Sequence, residues 1–106
     1  MSLPMPKSVP EPGFYYHYKH DPQGPLGNYT YEFIEVGTHT ETKEKLVMYR
    51  SLYKIETQGG ANYWLRPLEM FMGEVETPQG KMKRFTRITD PALIMRLETV
   101  SSLMYS

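Results

Sequence analysis

The pattern of apolar positions changes character twice along the chain, dividing it into three stretches. Residues 1–13 (MSLPMPKSVPEPG) hold four prolines and no apolar periodicity, so they read as a flexible or polyproline-like lead-in. Residues 1–4 have the look of a cloning leader, with Met5 as a natural start. From Phe14 to Ile88 the apolar residues fall in short, dense runs of β type. Phe14–Lys19 (FYYHYK) suits a strand with Tyr15 and His17 on one face and Tyr16 and Tyr18 on the other. Tyr29–His39 (YTYEFIEVGTH) alternates strictly through Phe33, and then its apolar phase slips to Ile34 and Val36. A slip of one predicts a bulge, or burial of both faces where a sheet curls over.

After a charged turn at Thr40–Lys45 comes the run Leu46–Tyr53, which a turn at Gln58–Asn62 folds back. Tyr63–Arg66 is a short strand stopped by Pro67, which has no N–H to donate. Leu68–Phe71 forms a single turn. Glu74–Thr77 and Arg84–Ile88 are two strands joined through Pro78–Gly80. Six short strands in so short a chain predict a small closed or nearly closed β-barrel over residues 14–88. The last stretch, 89–106, changes period: Asp90-Pro91 is a good N-cap followed by a proline at the first helical position. Leu93, Leu97, Val100 and Met104 then recur on one face, which predicts an amphipathic helix from about Pro91 to about Met104.

Composition narrows the function classes. A chain of 106 residues supports one core and one domain. Twelve basic and twelve acidic residues cancel, so there is no chain-wide attraction to nucleic acid or an anionic membrane. The absence of cysteine removes disulfides, thiol catalysis and thiolate metal sites. No apolar run has the length of a membrane span and no signal peptide opens the chain, so the expectation is a soluble cytoplasmic protein.

Four segments carry a family pattern: Gly13–Lys19 (GFYYHYK), Val47–Tyr53 (VMYRSLY), Trp64–Phe71 (WLRPLEMF) and Arg84-Phe85. In this order they resemble the bacterial family catalogued as domain of unknown function 1653. The resemblance covers about residues 13–88 and implies a mainly β, SH3-like barrel or roll of five to six strands. It implies no activity, ligand or partner. The Gly59–Tyr63 turn is longer than the family's usual one, and the helix of residues 89–106 lies beyond the family domain.

Several clusters are candidates for chemistry, and each has a plainer structural explanation beside it. Arg50 and Arg66 sit inside apolar strands, where a guanidinium must find a partner or reach water. Pairing of Arg66 with Glu69, three residues on, would fix the Arg-Pro-Leu-Glu turn. The sharper alternative is an anion site with both arginines as fork donors and Tyr49 and Trp64 as walls. His17 among tyrosines is either a hydrogen-bonded strand histidine or a ligand or acid/base group. Lys81, Lys83, Arg84 and Arg87 form a basic stretch that suits a solvated strand edge, or else a nucleic-acid contact. Glu69, Glu74 and Glu76 stand close enough in sequence to neutralise it. The tyrosine surplus fills a narrow barrel or lines a groove.

These residues favour a small binding or adaptor module whose aromatic-arginine groove (His17, Tyr49, Arg50, Trp64, Arg66, Glu69) takes a small anionic ligand or a peptide. The alternative is a nucleic-acid-binding barrel using Lys81, Lys83, Arg84 and Arg87. No catalytic triad, phosphate loop or metal spacing stands out, so no cofactor and no metal is expected, and an enzyme using His17 as its acid/base group stands third behind the two binding readings. The helix stripe of Leu93, Leu97, Val100 and Met104 packs on the barrel, or else docks a second copy or another protein.

Overall fold

A computed structural model describes residues 10–53 and 63–105. Most of the expected lead-in, residues 1–9, and the expected Gln58–Asn62 turn lie outside them. Strands β1 (Gly13–His17), β2 (Thr30–Thr38), β3 (Lys45–Ser51) and β4 (Tyr63–Pro67) run as an antiparallel meander. A short helix, α1 (Leu68–Met72), follows β4, and then come β5 (Glu74–Thr77), β6 (Gly80–Lys83), β7 (Phe85–Arg87) and the long helix α2 (Pro91–Tyr105).

The main sheet has the order β4-β3-β2-β1-β7. The protein is thus mainly β and roughly barrel-like; of the expected closed or nearly closed barrel, closure is not reached among the described residues. The edge strands that would have to join are five and three residues long, and β4 runs into Pro67 with no N–H to offer.

The expected hairpin needs a correction. Glu74–Thr77 pairs with Gly80–Lys83, not with Arg84–Ile88, and the two form a separate sheet. Phe85–Arg87 instead crosses to the free side of β1, pairing His17 with Phe85 and Tyr15 with Arg87. The basic residues Lys81 and Lys83 look like a loop in sequence because neither side of their strand is buried.

The phase slip in β2 is a bulge. Phe33 pairs with Tyr49 and Glu35 with Met48, leaving Ile34 as the extra residue. One inserted residue keeps Tyr31 and Phe33 before it, and Val36 after it, turned to the same core face. Alternation then gives the sheet two apolar sides. Tyr15, Tyr31, Val47, Tyr49 and Phe85 pack with Leu68 and Phe71 of α1 on one. Phe71 and Phe85 stack at 4.2 Å between centroids, with the edge of Tyr49 against both rings.

On the other side Phe14, Leu52 and Ile88 meet Leu97 of α2. The Asp90 carboxylate accepts the Ala92 N–H and caps this helix, as expected. Leu93, Leu97 and Val100 of the stripe therefore lie on the chain's own sheet, and Met95 and Leu103 are the large apolar side chains of α2 left exposed. The 18–29 connection reaches this side through Gly27, held at φ +88°, where an added Cβ would stand 2.5 Å from the Leu52 carbonyl oxygen.

Candidate functional site

The two strand arginines have opposite fates. Arg50 points to the α2 side, where every nitrogen of its guanidinium is committed. Its Nε donates to Glu32 Oε1 at 2.8 Å, Nη1 to the Tyr63 hydroxyl at 3.1 Å and Nη2 to Ser101 Oγ at 3.2 Å. Ser101 Oγ in turn donates to the same Glu32 oxygen at 2.6 Å, and the guanidinium lies 4.0 Å from the Tyr105 ring centre. Tyr105 closes the arrangement by donating to the Ser51 carbonyl. Burial alone would lower the Arg50 pKa, but the bonds to Glu32 and Tyr63 outweigh it and hold it above its usual value. This is a latch between sheet and helix. Arg50 is therefore removed from the expected groove, because Tyr49 and Arg50 are neighbours and point to opposite faces.

Arg66 belongs to the other face. Pairing places Trp64 beside Tyr49 and Arg66 beside Val47, so all four share the side that carries Phe85. Arg66 Nε donates to the Tyr49 hydroxyl at 3.1 Å, and the guanidinium carbon sits 5.6 Å from the Phe85 ring centre. The expected Arg66–Glu69 pair does not form. Among the described residues the ion pairs are Arg50–Glu32 and Arg87–Glu11. After Pro67 the chain turns into α1, which buries Leu68 and Phe71 and leaves Glu69 on its exposed side. Arg66 is half-buried, and among the described residues neither Nη group has a hydrogen-bond partner.

His17 completes this face. Its ring meets Phe85 at 5.2 Å edge-on and Tyr31 at 6.4 Å, and lies near-parallel to Tyr29 at 5.8 Å. Nδ1 accepts the Lys19 backbone N–H at 3.2 Å, so in the neutral ring the proton is on Nε2. Burial, and then the positive charges of Arg66, Arg84 and Lys19, pull the imidazole from 6.5 to about 4.

That shift fixes a pH dependence. Below 6.5 the unfolded chain takes up a proton that the folded His17 refuses. Its contribution to stability is therefore complete above that pH and drains away as the pH falls towards 4. His17→Gln should flatten this part of the stability curve when urea unfolding is followed between about pH 7 and pH 4. A curve as steep as that of the unmodified protein would contradict the assignment.

The polar groups on this face have one property in common. The Arg66 Nη groups and His17 Nε2–H donate, and the Tyr49 hydroxyl, having accepted from Arg66, has its own proton left to give. The Trp64 indole Nε1–H is buried, with no hydrogen-bond partner among the described residues. Tyr31 and Tyr53 share a hydrogen bond between hydroxyls, which leaves one further proton. Burial, first of all, raises both phenols, so they stay protonated at neutral pH. A lining made of donors on an aromatic floor suits an acceptor-rich, negatively charged guest.

His17, Tyr49, Trp64 and Arg66 of the expected groove are thus on one face, and Arg50 and Glu69 are not. Sequence reading does not place Phe85, Tyr31 or Tyr53 in the groove, although Phe85 and Tyr53 stand in segments that carry the family pattern. The place of Phe85 on this face is not legible because it enters the sheet through a pairing between distant segments. Tyr31 carried a usable signal, since it stands in the alternating part of β2.

The basic stretch is dispersed. Lys83 pairs across the β5–β6 hairpin with Glu74, and Lys81 with Glu76. Arg84 donates to the Met70 carbonyl, and Arg87 donates to the Pro12 carbonyl. Two concavities lie away from this face. One of about 240 Å³ lies between the 20–30 segment and α2, lined by Tyr16, His20, Leu93 and Arg96. A shallower one of about 460 Å³ is lined by Gly37, Leu46, Met48 and Leu65. Among the described residues no three His, Asp or Glu side chains are grouped to hold a metal ion, and no helix is long and apolar enough to cross a membrane.

Comparison with known proteins adds fold and family. Residues 13–87 match the family model described as "Protein of unknown function (DUF1653)". A crystal structure of a protein from Bordetella bronchiseptica, described as belonging to DUF1653, is similar at 29% identity and a TM-score of 0.59. The match covers 76% of this chain and 92% of that one. No curated protein matches the chain. The family segment ends before α2, so the Arg50 latch joins a family strand to a helix beyond the family match.

Proposed function

The chain belongs to the DUF1653 family of proteins of unknown function, and for it we propose a binding role: the face of His17, Tyr49, Trp64 and Arg66 takes a small anion, a carboxylate or a phosphate. The observation that carries this reading is Arg66. A half-buried guanidinium that, among the described residues, has only its Nε hydrogen-bonded and forms no ion pair is costly to keep, and Arg50 shows how this same protein satisfies a guanidinium whose role is structural. A bound anion would give the Arg66 fork its bidentate partner.

Acid/base catalysis by His17 is disfavoured, because such a group works best with a pKa near the working pH and burial holds this one at about 4. A nucleic-acid role for Lys81, Lys83, Arg84 and Arg87 is weakened by the glutamates opposite both lysines.

The test is an acetate titration at pH 7, followed by the indole N–H resonance of Trp64, the one tryptophan of the chain. The expected result is a saturable shift, with a midpoint in the millimolar range, that sodium chloride at the same ionic strength does not reproduce. Equal responses to acetate and chloride would sink the proposal.

A further inference from the structure

Tyr29 stands in a conformation that its residue type avoids. Its φ is +44°, the left-handed region, which is disfavoured for a side chain with a Cβ and especially for a bulky one. The turn contains two residues that adopt this region cheaply, Gly27 and Asn28, directly before it. Gly27 does so, at φ +88°, and yet Tyr29 takes a positive φ as well. Burial does not compensate, since Tyr29 is 41% exposed. What the conformation achieves is placement. The Tyr29 carbonyl accepts the His17 N–H at 2.9 Å, tying the turn to β1. Its ring lies 5.8 Å from His17 at only 28° between planes, and 6.0 Å from Tyr53. Backbone strain that holds an exposed side chain beside a binding face points from the outlier to a function.

We infer that the anion taken by this face is carried on a flat aromatic ring, which stacks against the Tyr29 phenol while its charged group reaches the donors around Arg66. The inference rests on the anion-binding reading above and adds the class of guest to it: an aromatic acid, not an aliphatic one. Several observations agree with it. The uncharged imidazole of His17 and the phenols of Tyr29 and Tyr53 offer π surfaces next to one another. The donors sit further along the same face, linked through Phe85, which both His17 and Arg66 contact. Tyrosine also supplies a large stacking area with few rotatable bonds, which suits recognition of a planar partner.

The test compares benzoate with cyclohexanecarboxylate, two acids of equal charge and similar size that differ in flatness and π character. Affinities are read by the Trp64 resonance in the unmodified protein and in Tyr29→Asn. Asparagine tolerates the left-handed backbone, so this variant keeps the turn. Benzoate is expected to bind about two- to tenfold more tightly than cyclohexanecarboxylate, the range that aromatic stacking supports. The ratio should fall to near one in Tyr29→Asn. Equal affinities in the unmodified protein, or a benzoate preference that survives Tyr29→Asn, would overturn the aromatic-acid inference and leave anion binding in place. Failure of all carboxylates, acetate included, would remove both.

Discussion

Arg50→Met is expected to cost about 2–3 kcal/mol of folding stability, because it deletes three charge-assisted hydrogen bonds at once and strands the Glu32 carboxylate in a partly buried site. Glu32 and Arg50 face each other across β2 and β3 with side chains 24% and 19% exposed. Water cannot fully replace the lost cation there. The loss also reaches α2, whose Ser101 is buried, hydrogen-bonded to both partners and one helical turn on from Leu97. Urea unfolding gives the stability change, and amide hydrogen exchange shows whether α2 opens more readily than the sheet. A change below about 0.5 kcal/mol with α2 protection intact would show that the latch is dispensable.

Arg66→Met is expected to do the reverse. Methionine retains an unbranched apolar stem against Phe85 and Tyr49, and among the described residues the deleted charge has no carboxylate partner to abandon. Only one hydrogen bond, to the Tyr49 hydroxyl, is lost, so stability should move by less than about 1 kcal/mol. Anion binding, however, loses its fork donor and the nearest cation, and acetate affinity should fall at least about tenfold, the effect of removing a charge-assisted pair. A large loss of stability would make Arg66 a structural residue and withdraw it from the site.

The contrast explains what could be read from the sequence. Both arginines interrupt apolar strands, and one-dimensional pattern assigns them the same role. Alternation placed Tyr15 with His17 and opposed Tyr16 correctly because it is a local property of one strand. The bulge at Ile34 was visible as a phase slip for the same reason, and the helix announced itself through Asp90-Pro91 and its apolar stripe. The face on which each arginine lies depends instead on the register of β3 against β2 and β4, and on α2 covering one side only. These are contacts between distant segments, and no local signal encodes them.

The Arg66–Glu69 expectation failed for a related reason: a spacing of three suits a pair on one helix, but here Pro67 separates a strand residue from a helical one. The hairpin was misdrawn because Lys81–Lys83 lacks the alternation of a half-buried strand, while Phe85 reaches β1 through non-local pairing.

The most direct single measurement is the acetate affinity of Arg66→Met beside that of Arg50→Met, both taken at a temperature where each variant is folded. If Arg66 is the recognition arginine and Arg50 the latch, the first variant loses acetate binding and the second keeps the affinity of the unmodified protein. Retained binding in Arg66→Met, or binding lost only in Arg50→Met, would contradict the division of labour on which the account rests.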